Sequence, residues 1–215
     1  MTSYVKDVSQ LEEIYGKPGQ ASLVKVASAL TPHYRKWINA SKFCVLTTVG
    51  PEGTDGSPRG DTEPVVRELD PKTLAMPDWR GNNRMDSLRN IVRDGRVSLM
   101  FMVPGSTSVV RINGTAKVSV DQPVIEGFDR NGQAPRSVII IKIGEIYFQC
   151  ARALMRSGLW TDTHEIAESL PTAGQMLSEM TDNEIDGAAY DAQWPGRAAA
   201  TMWSASSATL SFPGI

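Results

Sequence analysis

The middle of the chain contains the sequence Gly81-Asn82-Asn83-Arg84-Met85-Asp86-Ser87-Leu88-Arg89-Asn90-Ile91. Glycine followed by two amide side chains favours a turn, and the spacing of the apolar residues after it predicts a short helix. Asn83 is the expected N-cap of this helix. Asp86 follows three residues later, where a side chain can reach back to the cap.

The start of this helix has the chemistry of an anion-binding site. The first N–H groups of a helix have no partners within the helix, and they lie at the positive end of its dipole. Arg84 adds a full positive charge beside them, so a phosphate group would fit there. The local sequence also permits an ordinary cap at Asn83, with Arg84 and Arg89 as solvated helix charges.

Extended segments lie on both sides of this helix. β-Branched and aromatic runs predict about six strands, at residues 43–49, 64–69, 73–77, 96–103, 108–120 and 136–143. In the long strand at 108–120, apolar and polar residues alternate, and Gly114 interrupts the pattern where a bulge would be expected. The continuous apolar run at residues 138–141 predicts a strand that is covered on both faces.

Other helical patterns are confined to the two ends of the chain. The predicted helices cover residues 9–16, 21–30, 146–156 and 173–180, and another begins at Thr31-Pro32. Ser9 and Glu12 have the spacing of a capping box, and Thr31 before Pro32 is typical of an N-cap followed by proline. Residues 182–215 show no convincing periodicity and are expected to form a tail or an arm around a partner subunit.

This order of elements predicts a mainly β fold with flanking helices, namely a small closed or partly closed antiparallel barrel. A doubly wound α/β sheet fits less well because it would need helices between most strands. The changes in periodicity divide the chain into an N-terminal helical extension at 1–40, a barrel domain at 41–160 and a C-terminal extension with a short helix at 161–215.

Composition argues against several classes of protein. The net charge of -2 and the pI of about 5.7 provide no excess positive charge for a nucleic-acid backbone. No apolar run approaches the roughly 20 residues needed to span a bilayer. Residues 1–9 lack the basic and apolar regions of a signal peptide. We therefore expect a cytoplasmic protein without a nucleic-acid or membrane partner.

The cysteines and histidines do not predict a metal site. Cys44 and Cys150 lie far apart in apolar segments, which suits reduced core thiols better than a disulfide. His33 and His164 are the only histidines, so a His/Cys metal cluster is not expected.

Familiar catalytic motifs are absent from the sequence, which has no Gly-x-Ser-x-Gly elbow, no Gly-Lys-Ser/Thr phosphate loop and no Gly-x-Gly-x-x-Gly after a strand. If the protein is an enzyme, a cofactor is expected to carry the reactive chemistry. Arg59, Arg84 and Arg111 are candidates for binding one anion, although each alone also fits a surface charge. The loop at 77–81 could face a planar ligand or simply connect two elements.

Several of these segments, in this order, resemble the pyridoxamine phosphate oxidase-like flavoproteins. The resemblance covers roughly residues 43–160 and rests on the segments at 73–78, 81–91, 96–101 and 110–114. The segments Ser57–Asp61, Gly81–Arg84 and Cys150–Trp160 are similar to a largely uncharacterised subgroup of FMN-binding proteins within that superfamily.

The resemblance implies a split β-barrel of Greek-key type that forms a homodimer, with FMN in clefts at the subunit interface. It places Arg84 on the FMN phosphate beside Asn83, and residues 76–78 against the flavin ring and its ribityl chain. Arg156 and Trp160 would come from the other subunit. The cofactor-binding residues implied in this way are Arg59, Gly60, Met76, Pro77, Asp78, Asn82, Asn83, Arg84, Arg111, Arg156 and Trp160.

The function implied by the resemblance is that of an FMN-dependent oxidoreductase acting on a small substrate. The founding enzyme of the superfamily has a substrate segment with Arg and His near its C-terminus. Here His164 is isolated, so we do not expect oxidation of pyridoxamine phosphate. Relatives of this barrel that bind a deazaflavin or haem suggest alternatives, of which the low histidine count disfavours haem. A non-enzymatic flavin-binding or flavin-sensing protein is a third hypothesis, and the catalytic residues are unknown.

Overall fold

One antiparallel sheet dominates the computed structural model, which describes residues 2–150, 152–161 and 168–201. Its strands are β1 (Phe43–Gly50), β2 (Gly53–Gly60), β3 (Arg67–Asp70), β4 (Thr73–Asp78), β5 (Arg96–Met102), β6 (Val109–Ser119) and β7 (Ser137–Gln149). The order across the sheet is β2-β1-β5-β6-β7-β4-β3, and each neighbouring pair is antiparallel. The predicted mainly β fold with flanking helices is therefore confirmed.

Short helices precede, interrupt and follow this sheet. They are α1 (Val8–Tyr15), α2 (Gln20–Val24), α3 (Pro32–Ala40), α4 (Asp86–Arg93), α5 (Gln122–Glu126), α6 (Arg152–Ser157), α7 (Ala173–Met180) and α8 (Gly187–Thr201). Thr31 caps α3 as predicted, because its hydroxyl oxygen accepts a hydrogen bond from the Tyr34 N–H at 3.3 Å. The cap of α1 is Asp7 and not Ser9. No helix in the described residues is long and apolar enough to cross a membrane.

The sequence patterns did not predict strand β2. Its residues include three glycines and a proline, which have low intrinsic preference for strands. It is extended because it pairs with β1 along its whole length, from Phe43 opposite Gly60 to Gly50 opposite Gly53. Pairing within the sheet therefore decides its conformation.

Strand β7 continues beyond the predicted boundary. The sequence predicts a helix from Ile146, but β7 pairs with β6 as far as Gln149, and helix α6 covers residues 152–157. Ala27 also forms an isolated bridge with Ile146. This bridge keeps the backbone extended at Ala27, where the sequence predicted a helix over residues 21–30.

A second correction concerns the C-terminal segment. The predicted helix at 173–180 is present as α7, but residues 187–201, for which no periodicity was seen, form α8. The two helices approach closely, since a Cβ added to Gly174 would lie 2.1 Å from the Gly187 carbonyl oxygen. Asp191 accepts hydrogen bonds from the Gly174 N–H and the Thr172 hydroxyl. Residues 202–215 lie outside the described residues, and the predicted domain boundaries stay predictions.

The main hydrophobic core fills the concave side of the sheet. Its fully buried side chains include Ile38, Leu46, Leu74, Met76, Leu99, Phe101, Ile112, Ile139, Ile141 and Ile146. A smaller cluster on the opposite face of β4 and β7 contains Ala75, Val138, Ile125 and Phe128. Ile139 and Ile141 thus face one core while Val138 faces the other, which confirms that β7 is covered on both faces.

The two ends of this sheet come together through side chains. Strand β2 is at one end of the strand order, and β4 is next to the strand at the other end. Arg59 of β2 forms an ion pair with Asp78 of β4 across a distance of 2.7 Å. The sheet is therefore rolled into a barrel whose seam, in the described residues, is joined by side chains and not by a backbone ladder. This is the predicted split barrel.

The predicted irregularity at Gly114 is a change of register between β6 and β7. Asn113 lies opposite Glu145, whereas Gly114 lies opposite Ile143, so the additional residue is Gly144 of β7. A Cβ added to Gly114 would lie 2.0 Å from the Lys142 carbonyl oxygen. Only glycine fits at this position without movement of the β7 backbone.

We expect Gly114→Ala to destabilise the protein, because the new methyl group must displace main-chain atoms. Overpacking of this kind costs about 1–3 kcal/mol, which urea denaturation followed by circular dichroism can measure. Gly56→Ala in β2 is the matched control, because a Cβ there meets no atom within 4 Å. Equal stabilities of the two variants would contradict this account of the bulge.

Candidate functional site

A cleft of about 170 Å³ opens at the barrel seam, where β2 and β4 end. Its walls include Arg59, Gly60, Met76 and Pro77, four residues that the resemblance assigned to a cofactor. Trp79 lines it as well, from the loop that follows β4. The cleft lies here because the two strands converge without pairing, which leaves a gap between their ends.

Arg59 is the central charged group of this cleft. It lies opposite Cys44 of β1, whose side chain is fully buried, so Arg59 projects toward the interior of the barrel. Its Nη1 donates to Asp78 Oδ1 at 2.7 Å. Its Nε is buried and has no hydrogen-bond partner. Buried donors are almost always paired, so Arg59 Nε is an exception in the described residues.

Burial in the core also sets the chemistry of Cys44. Removal from water disfavours the thiolate and raises the pKa of Cys44 to about 12, although the positive charge of Arg59 acts in the opposite direction. Cys44 is therefore a neutral core thiol, as predicted. Cys150 differs from the prediction, since it is exposed. Both cysteines are free.

A second buried ion pair supports the other wall of the cleft. Arg130 Nη1 donates to Asp61 Oδ1 at 2.6 Å, and the two side chains are only 15% and 2% exposed. Trp79 Nε1 donates to Asp61 Oδ2 at 3.2 Å, and the Arg130 guanidinium lies 5.0 Å from the Trp79 ring centroid. Asp61, Trp79 and Arg130 thus hold one another in place.

Sequence reasoning missed the role of Arg130. Asp61 lies two residues after Arg59, a spacing that puts both side chains on one face of an extended segment, so Asp61 could have been found. Arg130 is 69 positions from Asp61 and lies in no recognisable motif. Folding alone brings these two residues together.

The loop before α4 differs from the prediction. The helix begins at Asp86, its N-cap position is Met85, and no side chain caps it. Asn83 therefore does not cap the helix. It has a positive φ of 61°, and its Oδ1 accepts from Arg136 Nη1 at 2.7 Å. Asn82 Oδ1 accepts from the Arg84 N–H at 3.0 Å. No side-chain cap therefore satisfies the first N–H groups of α4.

Arg84 lies in a second depression and not in the seam cleft. This groove of about 370 Å³ runs between α4 and the β1–β2 turn, and Arg84, Arg89 and Arg93 line it together with acidic side chains. The Arg84 side chain is 80% exposed and pairs with Asp86 at 2.5 Å. Within one protomer, Arg59 and Arg84 therefore face different cavities.

The remaining predicted residues lie elsewhere on the surface. Arg111 is on the outer face of β6, since its neighbours Val110 and Ile112 are buried in the core. Its Nη1 donates to Gln149 Oε1 at 3.2 Å. Trp160 Nε1 donates to the Ser106 carbonyl oxygen at 2.7 Å. Arg156, on α6, is exposed.

The structure thus groups Arg59, Gly60, Met76, Pro77 and Asp78 at the seam. It does not bring Arg84, Arg111, Arg156 or Trp160 into that group within a single chain. In the described residues, no cluster of three or more His, Cys, Asp or Glu side chains could hold a metal ion.

The family model of pyridoxamine 5'-phosphate oxidase matches residues 30–150, which include every strand of the sheet and more than half of the chain. The chain belongs to the pyridoxamine 5'-phosphate oxidase family. No curated protein sequence matches it. Membership of this family agrees with the resemblance on which the sequence-based expectations rest.

Alignments with similar solved structures cover little more than half of this chain. A variant of HupZ from Group A Streptococcus has a TM-score of 0.46 and 20% identity, and the alignment covers 55% of this chain and 98% of that one. A pyridoxamine 5'-phosphate oxidase-like protein from Lactobacillus delbrueckii has a TM-score of 0.43 and 23% identity, with 56% and 95% covered. A structure named F420 reductase has a TM-score of 0.41 and 16% identity, with 56% and 98% covered.

We expect Asp61→Asn to destabilise the protein, because the mostly buried Arg130 guanidinium then keeps only one carboxylate, that of the exposed Glu63 at 3.3 Å from Nη2. Removing one partner of a buried pair costs about 3–5 kcal/mol, which a urea titration can measure. Asp94→Asn is the control, since the Asp94–Arg96 pair lies at the surface and should contribute far less. A loss of stability for Asp61→Asn no larger than that of the control would contradict this role.

The two thiols should differ in reactivity. At pH 8 a disulfide reagent should titrate one thiol per native chain, Cys150, because Cys44 is buried and its pKa of about 12 keeps it protonated. In denaturant both thiols should react. The variant Cys150→Ser should show no fast-reacting thiol in the native state, and a fast reaction in that variant would contradict the burial of Cys44.

Proposed function

We propose that this protein binds FMN at the barrel seam and acts as an FMN-dependent oxidoreductase on a small substrate. The single observation that carries the proposal is the cleft at the seam, whose walls include Arg59, Met76 and Pro77. Members of this family commonly bind a flavin, and an arginine with free N–H groups suits an anionic or carbonyl-bearing ligand.

The size of the cleft supports a dimeric site. A volume of about 170 Å³ is below the 300–1,000 Å³ that is usual for pockets of drug-sized ligands. A whole flavin mononucleotide would therefore extend beyond this cleft and would need contacts from elsewhere. Proteins of this family are typically dimers, and we propose that a second subunit completes the site. Arg111, Arg156 and Trp160, which lie outside the seam group, would reach the flavin from that subunit.

The proposed position of the phosphate is at the start of α4. Arg84 is exposed and can be reached by a ligand, and the first N–H groups of α4 have no side-chain cap. Asn82 and Asn83 flank this position and are fixed by hydrogen bonds to the Arg84 N–H and to Arg136. A phosphate there would replace Asp86 as the partner of Arg84.

The chain's own residues would bind and orient the cofactor. Bound FMN would supply the capacity to accept or deliver hydride. Met76 and Pro77 would pack against the flavin and exclude water, and Arg59 would bind its polar edge. The substrate and the electron donor are not part of the proposal. We also propose that the protein is cytoplasmic, as the sequence predicts.

We expect purified protein to bind FMN, and Arg84→Ala to weaken FMN binding roughly 10- to 150-fold through loss of a charge-assisted phosphate contact. Quenching of flavin fluorescence measures this affinity. Arg96→Ala is a matched control, because Arg96 is also exposed and also pairs with an aspartate two residues away at 2.5 Å. The control should bind FMN as the wild type does.

Two further outcomes would change the proposal. Absence of FMN binding, or tighter binding of a deazaflavin in a parallel titration, would overturn the cofactor assignment. Bound FMN that NADH or NADPH cannot reduce, and that shows no turnover with an acceptor, would favour the alternative of a non-enzymatic flavin-binding protein.

A further inference from the structure

The ion pair between Arg59 and Asp78 joins the two edges of the rolled sheet. The side chains are 22% and 17% exposed, and Arg59 Nη1 lies 2.7 Å from Asp78 Oδ1. The pair therefore does two things at once. It closes the barrel seam, and it neutralises the arginine that the cleft would offer to an anion.

This pair leaves Arg59 incompletely satisfied. Nη1 has the carboxylate, but Nε is buried without a partner. Because Nε is covered by protein atoms, an acceptor can reach it only if the side chain leaves its present position. Guanidinium groups bind oxyanions best when two N–H groups point to two oxygens, and the present geometry prevents this on the Nε side.

In the neighbouring Asp61–Arg130 pair, both oxygen atoms of the carboxylate have hydrogen-bond donors. Asp61 uses both carboxylate oxygens, one for Arg130 and one for Trp79, and its side chain is 2% exposed. Removing either charged partner of the Asp61–Arg130 pair would leave the other mostly buried charge with weaker compensation. The Arg59–Asp78 pair lacks this complete network, so it is the pair at the seam that can exchange partners.

We infer that Asp78 is an internal competitor for the anion that Arg59 binds. In the free protein the carboxylate occupies Arg59. When an anionic ligand enters the cleft, Arg59 transfers from Asp78 to the oxygens of the ligand. This inference rests on the proposed binding of FMN at the seam, and it assigns to Asp78 the regulation of affinity at that site instead of a direct contact with the flavin.

The competition has a direct consequence for affinity. A carboxylate beside the cleft holds Arg59 away from the ligand and also repels a second negative charge. Neutralising Asp78 should therefore strengthen anion binding. Asparagine has nearly the same shape as aspartate, so Asp78→Asn can still accept a hydrogen bond from Arg59 and preserve the seam.

The test is a titration of full-length wild type, Asp78→Asn and Glu68→Gln with FMN and, separately, with inorganic phosphate. Isothermal calorimetry measures FMN affinity, and protection against thermal unfolding measures phosphate binding. We expect Asp78→Asn to bind at least about tenfold more tightly. Glu68→Gln is the control, because it neutralises a carboxylate in a comparable pair with Arg35 at 2.6 Å that lies outside the cleft. Its affinity should be unchanged.

A second comparison tests whether the effect passes through Arg59. In an Arg59→Ala background, the further change Asp78→Asn should alter affinity much less than it does in the wild type. Unchanged or weaker binding by folded Asp78→Asn, or an equal gain in the Arg59→Ala background, would overturn the inference. Absence of FMN binding by the wild type would overturn the proposed function instead, while the phosphate titration would still decide the competition at Arg59.

Discussion

The closing of the barrel seam is the constraint on which the rest of the molecule depends. An open antiparallel sheet leaves unpaired strand edges, and this one brings its two ends together through buried ion pairs instead of a backbone ladder. Arg59–Asp78 joins β2 to β4, and Asp61–Arg130 links the residue after β2 to the segment between α5 and β7. Charges that are removed from water must be paired, so the partners fix how far β2 and β4 can approach one another.

The candidate site is a consequence of that junction. Strands that converge without pairing leave a gap, and charged side chains line it because they are needed to hold the seam. In the Asp61–Arg130 pair, Trp79 donates a hydrogen bond to the second carboxylate oxygen of Asp61, whereas in the Arg59–Asp78 pair the Nε of Arg59 has no partner. The same physics that closes the barrel thus leaves a group that can respond to a ligand. Under the proposed function, structure and binding would be coupled at Arg59, because a single guanidinium would serve both.

Much of the fold follows from local pattern. Alternation in β6, the apolar run in β7 and the capping residues of α3 gave the correct elements, because each depends on residues that are close in sequence. Prediction failed where distant contacts override local preference. Strand β2 has the composition of a loop, and its conformation comes from pairing with β1. Helix α8 contains an internal proline, which obscured its periodicity.

By itself the sequence determined the family, the mainly β architecture, the alternating faces of β6 and the two-sided cover of β7, and it proposed residues 59–60 and 76–78 as candidates. Tertiary structure alone decided which charges meet. Asp78 and Arg59 are 19 positions apart, and Arg130 and Asp61 are 69 positions apart. Periodicity encodes the face on which a side chain lies, but it carries no information on which remote strand ends converge when the sheet rolls up. That convergence brought Arg59 to Asp78 and Arg130 to Asp61, whereas Arg84 and Arg111 lie elsewhere.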